Sequence, residues 1–172
     1  MRSLALTAVL ILSLAACGTD TGAGDEAEAA AATEAVAITD ELDFTTRTLD
    51  GDELAGTSLE GKDAVLWFWA PWCTQCRREA PYVAASESAN ADVVFLGVAG
   101  LGEIDAMNAF VDDYEVGGFD HVADLDGSLW QRFGVVQQPA YAFIDDTGTV
   151  EVIRGEIGED GIAEGVAALT GS

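Results

Sequence analysis

The chain has 172 residues, with 31 Asp and Glu against seven Lys and Arg, a formal charge of -24 and a pI near 4.1. That length suits one domain plus leader material and allows a buried core; the lack of clustered cations excludes nucleic-acid binding through phosphate neutralisation. Lys62 is the single lysine, a balance that fits a high-salt source, where an acidic surface stays hydrated and its self-repulsion is screened, or an alanine-rich, arginine-preferring genome with an acidic tail.

Arg2 is followed by an apolar run from Leu4 to Leu14 that is too short to span a bilayer as a mature helix, and then by Leu14-Ala15-Ala16-Cys17. This pattern resembles the lipobox of bacterial lipoproteins. The resemblance implies cleavage before Cys17, diacylation of that residue, and residence on the outer face of the cell membrane, where disulfides persist. Ordinary secretion with cleavage elsewhere is the alternative. Residues 18–40, rich in Thr, Gly, Asp, Glu and Ala with no apolar period before Val36, read as an acidic flexible tether. Residues 41–172 are then the folded domain.

Within that domain Leu42, Phe44 and Thr46 alternate, and Asp50-Gly51 precedes Glu53-Leu54-Ala55, which predicts an N-terminal β-hairpin. Gly56 to Lys62 reads as a loop. Ala64 to Trp69 is an apolar, β-prone run that ends at Pro71 and hands over to Cys73-Thr74-Gln75-Cys76 and a helix, kinked or re-nucleated near Pro81. Val93 to Ala99 has the continuous apolarity of a strand buried on both faces. Ile104, Met107, Phe110, Val111 and Tyr114 mark the next helix, ended by Gly117-Gly118. A short strand at His121 to Ala123 and a helix over Gly127 to Phe133 follow. Pro139 opens a strand through Ile144, either as an ordinary edge start or as a cis residue. The Asp146-Thr147-Gly148 turn pairs that strand with Val150 to Ile153, and Ile162, Val166 and Leu169 close the chain with a helix.

The two cysteines carry the chemistry. Residues three apart in a first helical turn face the same side, so their sulfurs can close or open a small disulfide ring with little backbone movement. Unpaired N–H groups and the helix dipole favour a thiolate at Cys73, lowering its pKa from the free value of about 8.5. Cys73 is thus the expected nucleophile, and Cys76, one turn inside, the expected resolving thiol. Half of a zinc site is the first competing reading, but no second cysteine pair exists and His121 is the only histidine. A purely structural disulfide is the second, though so short a loop gains little from cross-linking.

The order of elements resembles the thioredoxin fold: strand, helix opening with Cys-X-X-Cys, strand, helix, proline-led strand, strand, helix. The N-terminal hairpin and the extra helix and strand between Glu103 and Asp124 are similar to its extracytoplasmic TlpA, ResA and DsbE branch. Phe68-Trp69-Ala70-Pro71-Trp72-Cys73 and Cys76-Arg77-Arg78-Glu79-Ala80-Pro81 are similar to that branch's active-site signature. Asp126-Gly127-Ser128-Leu129-Trp130, with Gln138-Pro139-Ala140, resembles the secreted DsbE-like and DsbF-like proteins of actinobacteria. The likeness covers roughly Leu42 to Leu169. It implies an α/β thioredoxin fold in which Cys73 attacks, Cys76 resolves, Pro139 is cis beside the disulfide, and Gln138 offers backbone groups to an extended substrate. It further implies that Trp72 shields the sulfurs and that Glu79 assists proton transfer; the alternative for Glu79 is an exposed first-turn carboxylate favoured by the helix dipole. Arg77 and Arg78 read as solvated. Thioredoxins carry a buried aspartate six residues before the first cysteine, where this chain has Trp67, which leaves proton transfer to Glu79 or water.

The resemblance implies an oxidase that introduces disulfides into exported proteins. The sequence carries no nucleotide or flavin motif, so no cofactor is expected and redox equivalents are expected to be exchanged with another protein, a membrane redox partner. The competing direction is a reductase for apocytochrome c or other exported thiols. Another class altogether is a copper metallochaperone using both thiolates and His121, although such proteins place the histidine near the proline position held here by Gln138. A peroxidase needs an activated cysteine in another context.

Overall fold

The computed structural model describes residues 40–171. The lipobox reading at Cys17 and the tether reading of residues 18–40 lie outside the described residues, except for Asp40, which belongs to a 3₁₀ turn and not to a tether. A 3₁₀ turn at Asp40–Leu42 leads into the hairpin of β1 (Thr45–Arg47) and β2 (Glu53–Ala55), with Thr46 opposite Leu54. The segment read as a loop contains a second 3₁₀ turn, Gly56–Leu59. Gly56 is required there, because a Cβ would stand 2.4 Å from both the Leu42 carbonyl and the Phe44 ring.

Central strand β3 (Ala64–Trp69) is buried at every residue. It pairs in parallel with β4 (Val94–Gly100), with Leu66 opposite Leu96, and antiparallel with β6 (Ala140–Ile144), with Trp67 opposite Tyr141. β5 (Asp120–Asp124) adds in parallel outside β4, and β7 (Val150–Arg154) antiparallel outside β6, giving the order β5-β4-β3-β6-β7. This is the expected thioredoxin fold with its N-terminal hairpin and inserted helix and strand.

The strand period of two divides the core. Val65, Trp67 and Trp69 point to one side, where they meet α1 (Thr74–Ala89), α2 (Ile104–Asp113) and α4 (Gly158–Thr170) through residues such as Val83, Phe110 and Val166. Leu66 and Phe68 point to the other, against α3 (Ser128–Arg132), Phe133 and Leu42. α1 runs through Pro81 as one helix, so the helix does not re-nucleate there; the ring costs the donor to one carbonyl of the preceding turn. In α4 the buried residues are Ile162, Val166 and Leu169, as their spacing predicts.

His121 lies in a strand, as expected, and its side chain is buried. Its ring fills the space that Gly97 leaves on neighbouring β4: a Cβ at Gly97 would come within 1.9 Å of His121 Nδ1. A Gly97→Ala substitution must therefore displace the imidazole from a packed sheet face. It is expected to cost about 1–3 kcal/mol, read as a lower urea midpoint with an unchanged denaturant slope.

Candidate active site

β3 delivers its last buried residue, Trp69, to the end of the sheet from which α1 departs, and the turn Ala70-Pro71-Trp72 presents Cys73 as the N-cap of α1. Cys73 N–H donates to Ala70 O at 3.0 Å, and Cys73 Sγ accepts from the Cys76 N–H at 3.1 Å. The two cysteines form a disulfide with their Cα atoms 5.3 Å apart. Cys73 is 2 % exposed and Cys76 wholly buried, so Cys73 is the sulfur an incoming thiolate reaches first.

The Gln138–Pro139 peptide bond is cis. Because Ala140 lies opposite Phe68 in the β3–β6 register, Pro139 stands at the same end of the sheet as the cysteines. Pro139 is buried and Gln138 half-buried. Trp72 is 56 % exposed, with its indole N–H donating to Leu101 O at 2.7 Å. That bond moors the residue before Cys73 to the β4–α2 loop. A Cβ on Gly102 in the same loop would come within 2.5 Å of the Pro71 ring.

Glu79, one turn beyond Cys76, has no exposed surface. The reading of an exposed first-turn carboxylate is therefore incorrect: helix dipole alone does not hold it. Oε2 accepts from the Tyr141 hydroxyl and from Ile157 N–H at 3.2 Å, and Oε1 accepts from Gly158 N–H at 2.9 Å. Burial comes first in raising the Tyr141 phenol far above its ordinary pKa, followed by its bond to Glu79 and the charges of Glu79 and Glu156. The hydroxyl thus remains a donor. The segment that leads to α4 is fastened on both sides, since Gly155 N–H donates to Pro139 O at 2.8 Å and Arg78 grips Glu156 through two bonds at 3.0 and 2.5 Å. Arg78, read as solvated, is exposed but paired. Arg77 is exposed, donates to Pro71 O at 3.0 Å and lies over the Tyr114 ring.

His121 accepts the Trp69 indole N–H at Nδ1, 3.2 Å away, and the Nε2–Val116 O contact is 2.8 Å. This network assigns the neutral tautomer with its proton on Nε2. Both ring nitrogens are engaged within the fold. Among the described residues, no three His, Cys, Asp or Glu side chains are placed to hold a metal, so the metallochaperone reading finds no ligand set there. Burial depresses the His121 pKa, outweighing the bond to Val116 O and the charge of Asp120.

Sequence and structure comparisons agree on what this geometry belongs to. The AhpC/TSA family model matches residues 38–153. The chain is 41 % identical over 139 residues to the soluble secreted antigen MPT53 of Mycobacterium tuberculosis, covering 79 % of this chain and 80 % of that protein. It is 30 % identical over 125 residues to the thiol-disulfide oxidoreductase ResA of Bacillus subtilis, covering 70 % and 68 %. Among solved structures, M. tuberculosis DsbF superposes with a TM-score of 0.76 at 50 % identity, covering 77 % of this chain and 99 % of that one. A secreted M. tuberculosis disulfide oxidoreductase homologous to E. coli DsbE gives 0.72 at 40 %, covering 75 % and 98 %.

Because the folded protein holds His121 neutral, with its pKa lowered, the unfolded chain binds a proton there more readily. Stability is then fully present above the unfolded value of about 6.5 and falls as pH drops below it, by up to about 1.4 kcal/mol per pH unit. Melts between about pH 7 and 5 should show this slope in the wild type, and a His121→Asn variant should lose it.

Proposed function

Since the chain belongs to the AhpC/TSA family and is a thiol-disulfide oxidoreductase of the secreted DsbE, DsbF and ResA type, we propose that it works as an oxidase, passing its Cys73–Cys76 disulfide to exported proteins. The observation that carries the direction is the N-cap position of Cys73, whose sulfur already accepts the Cys76 N–H. The same donor and the positive end of α1 favour a Cys73 thiolate, and a pair whose reduced form is stabilised is an oxidising pair.

A substrate thiolate attacks Cys73 Sγ, the Cys73–Cys76 bond breaks, and Cys76 leaves as a thiolate that takes up a proton. The second substrate thiolate then attacks the substrate sulfur of the mixed disulfide, and Cys73 leaves as a thiolate. Two electrons have passed to the cysteine pair, and a membrane redox partner removes them. The substrate lies as an extended segment against Gln138 and the cis Pro139. Exposed Trp72, Leu101 and Val136, at 56, 57 and 84 %, follow β3 and β4 or precede β6, and so surround the same end of the sheet. Glu79 exchanges the proton of Cys76. The resemblance at residues 1–17 supports an extracytoplasmic protein held by lipid on Cys17; the secreted relatives support the extracytoplasmic location and not the lipid.

Equilibration with glutathione buffers should give a reduction potential of about -120 to -180 mV; a value near -270 mV would make the reductase the correct direction. Cys76→Ser whose Cys73 has first been converted to the thionitrobenzoate mixed disulfide should release thionitrobenzoate to a substrate with one free thiol and hold that substrate as a Cys73 mixed disulfide on a non-reducing gel, and Cys73→Ser, which cannot be loaded there, should not. In cells, Cys17→Ala should move the protein from the membrane fraction to the soluble one; unchanged membrane association would rule out the lipid anchor.

A further inference from the structure

Three elements meet at the buried carboxyl of Glu79, and they contribute unequally. Ile157 and Gly158 offer backbone N–H groups that the α4 terminus supplies whatever side chains are present. Tyr141 offers the one side-chain donor. Oε2 takes two donors, the Tyr141 hydroxyl and Ile157 N–H, while Oε1 takes only Gly158 N–H. Oε1 is therefore the oxygen with room for a further proton. Trp67 stands opposite Tyr141 on the adjoining strand, its buried Nε1–H without a hydrogen-bond partner.

We propose that Tyr141 is a positioning residue for thiol exchange: by occupying Glu79 Oε2 it fixes the carboxyl that shares a face of α1 with Cys76, leaving Oε1 for proton transfer. This rests on the proposed role of Glu79 as the proton partner of Cys76. When a substrate displaces Cys76, the departing thiolate takes the proton from Glu79, and the carboxylate left behind is met by three donors. In the reverse step the Cys76 S–H gives its proton to Glu79, Cys76 attacks Cys73 Sγ, and the bond from Cys73 to the bound thiol breaks. Tyr141 on β6 bonds to Glu79 and Arg78 on α1 feels its charge, while Cys76 lies three residues earlier on the same helical face and Glu156, before α4, acts on Tyr141 and takes up most of Arg78.

The test reads the resolving step directly. Reduced protein is mixed with one equivalent of dithiobis-nitrobenzoate: Cys73 captures one half, Cys76 displaces it, and release of the second thionitrobenzoate is followed against pH. The wild-type rate should rise along a limb that Glu79→Gln abolishes. Tyr141→Phe keeps the ring and removes the donor, so the limb should move to higher pH by about one unit, and the variant should add nothing in a Glu79→Gln background. An unmoved limb with a lowered melting temperature would make Tyr141 merely structural. A shift that persists in the Glu79→Gln background would show that Tyr141 does not act through Glu79. Coincident wild-type and Glu79→Gln profiles would remove the role of Glu79 and that of Tyr141 with it. A reducing potential for the pair would reverse the oxidase assignment and leave this profile standing.

Discussion

The structure depends on the burial of β3 on both faces. A strand flanked by partners and covered above and below has no polar surface to spare, so each residue is assigned to one core or the other by parity alone. Trp67 and Trp69 share a face, and both aromatic rings stack there, Trp69 against Phe110 with centroids 4.3 Å apart. The chemistry is located at the point where this strand runs out. The cysteines are placed by an element that cannot shift without opening two cores, so a rigid scaffold fixes where the two sulfurs stand.

Burial also explains why polar groups behind the disulfide are so fully engaged. A carboxyl and an imidazole lying within an apolar core cost free energy unless each acceptor meets a donor. Glu79 is satisfied from β6 and the start of α4, and His121 from β3 and the turn at Val116. Each group therefore ties together segments that no local hydrogen bond joins. The polar network that thioredoxins build around a strand aspartate is built here from the helix instead, with Trp67 occupying the strand position.

Much of this was legible in the sequence, because local rules govern it. The period-two and period-3.6 patterns located the strands and the helices that cover them, and the proline before Tyr141 marked the site's second half. The partners of Glu79 were not legible. A glutamate in the second turn of a helix has the same local signature whether solvated or buried, and Tyr141 and Gly158 lie 62 and 79 residues away. His121 likewise acquires its meaning from Trp69, 52 residues earlier. One signal did exist: Gly97, inside an otherwise bulky run, marks a close approach by a neighbouring group. Arg78 read as solvated because its partner Glu156 belongs to the turn after β7, beyond the reach of any helical spacing.

The short segment from Gly155 to Gly158 touches the cis Pro139 through its first residue, the face of α1 through Glu156, and Glu79 through its last two. It works as a rear brace common to both walls of the reaction cleft. The gap between the cysteines and the proline loop is therefore gauged from behind, by backbone amides and one ion pair, and no side chain need cross the front to set it. None of these ties involves Trp72, Leu101 or Val136, the exposed apolar residues at that end of the sheet.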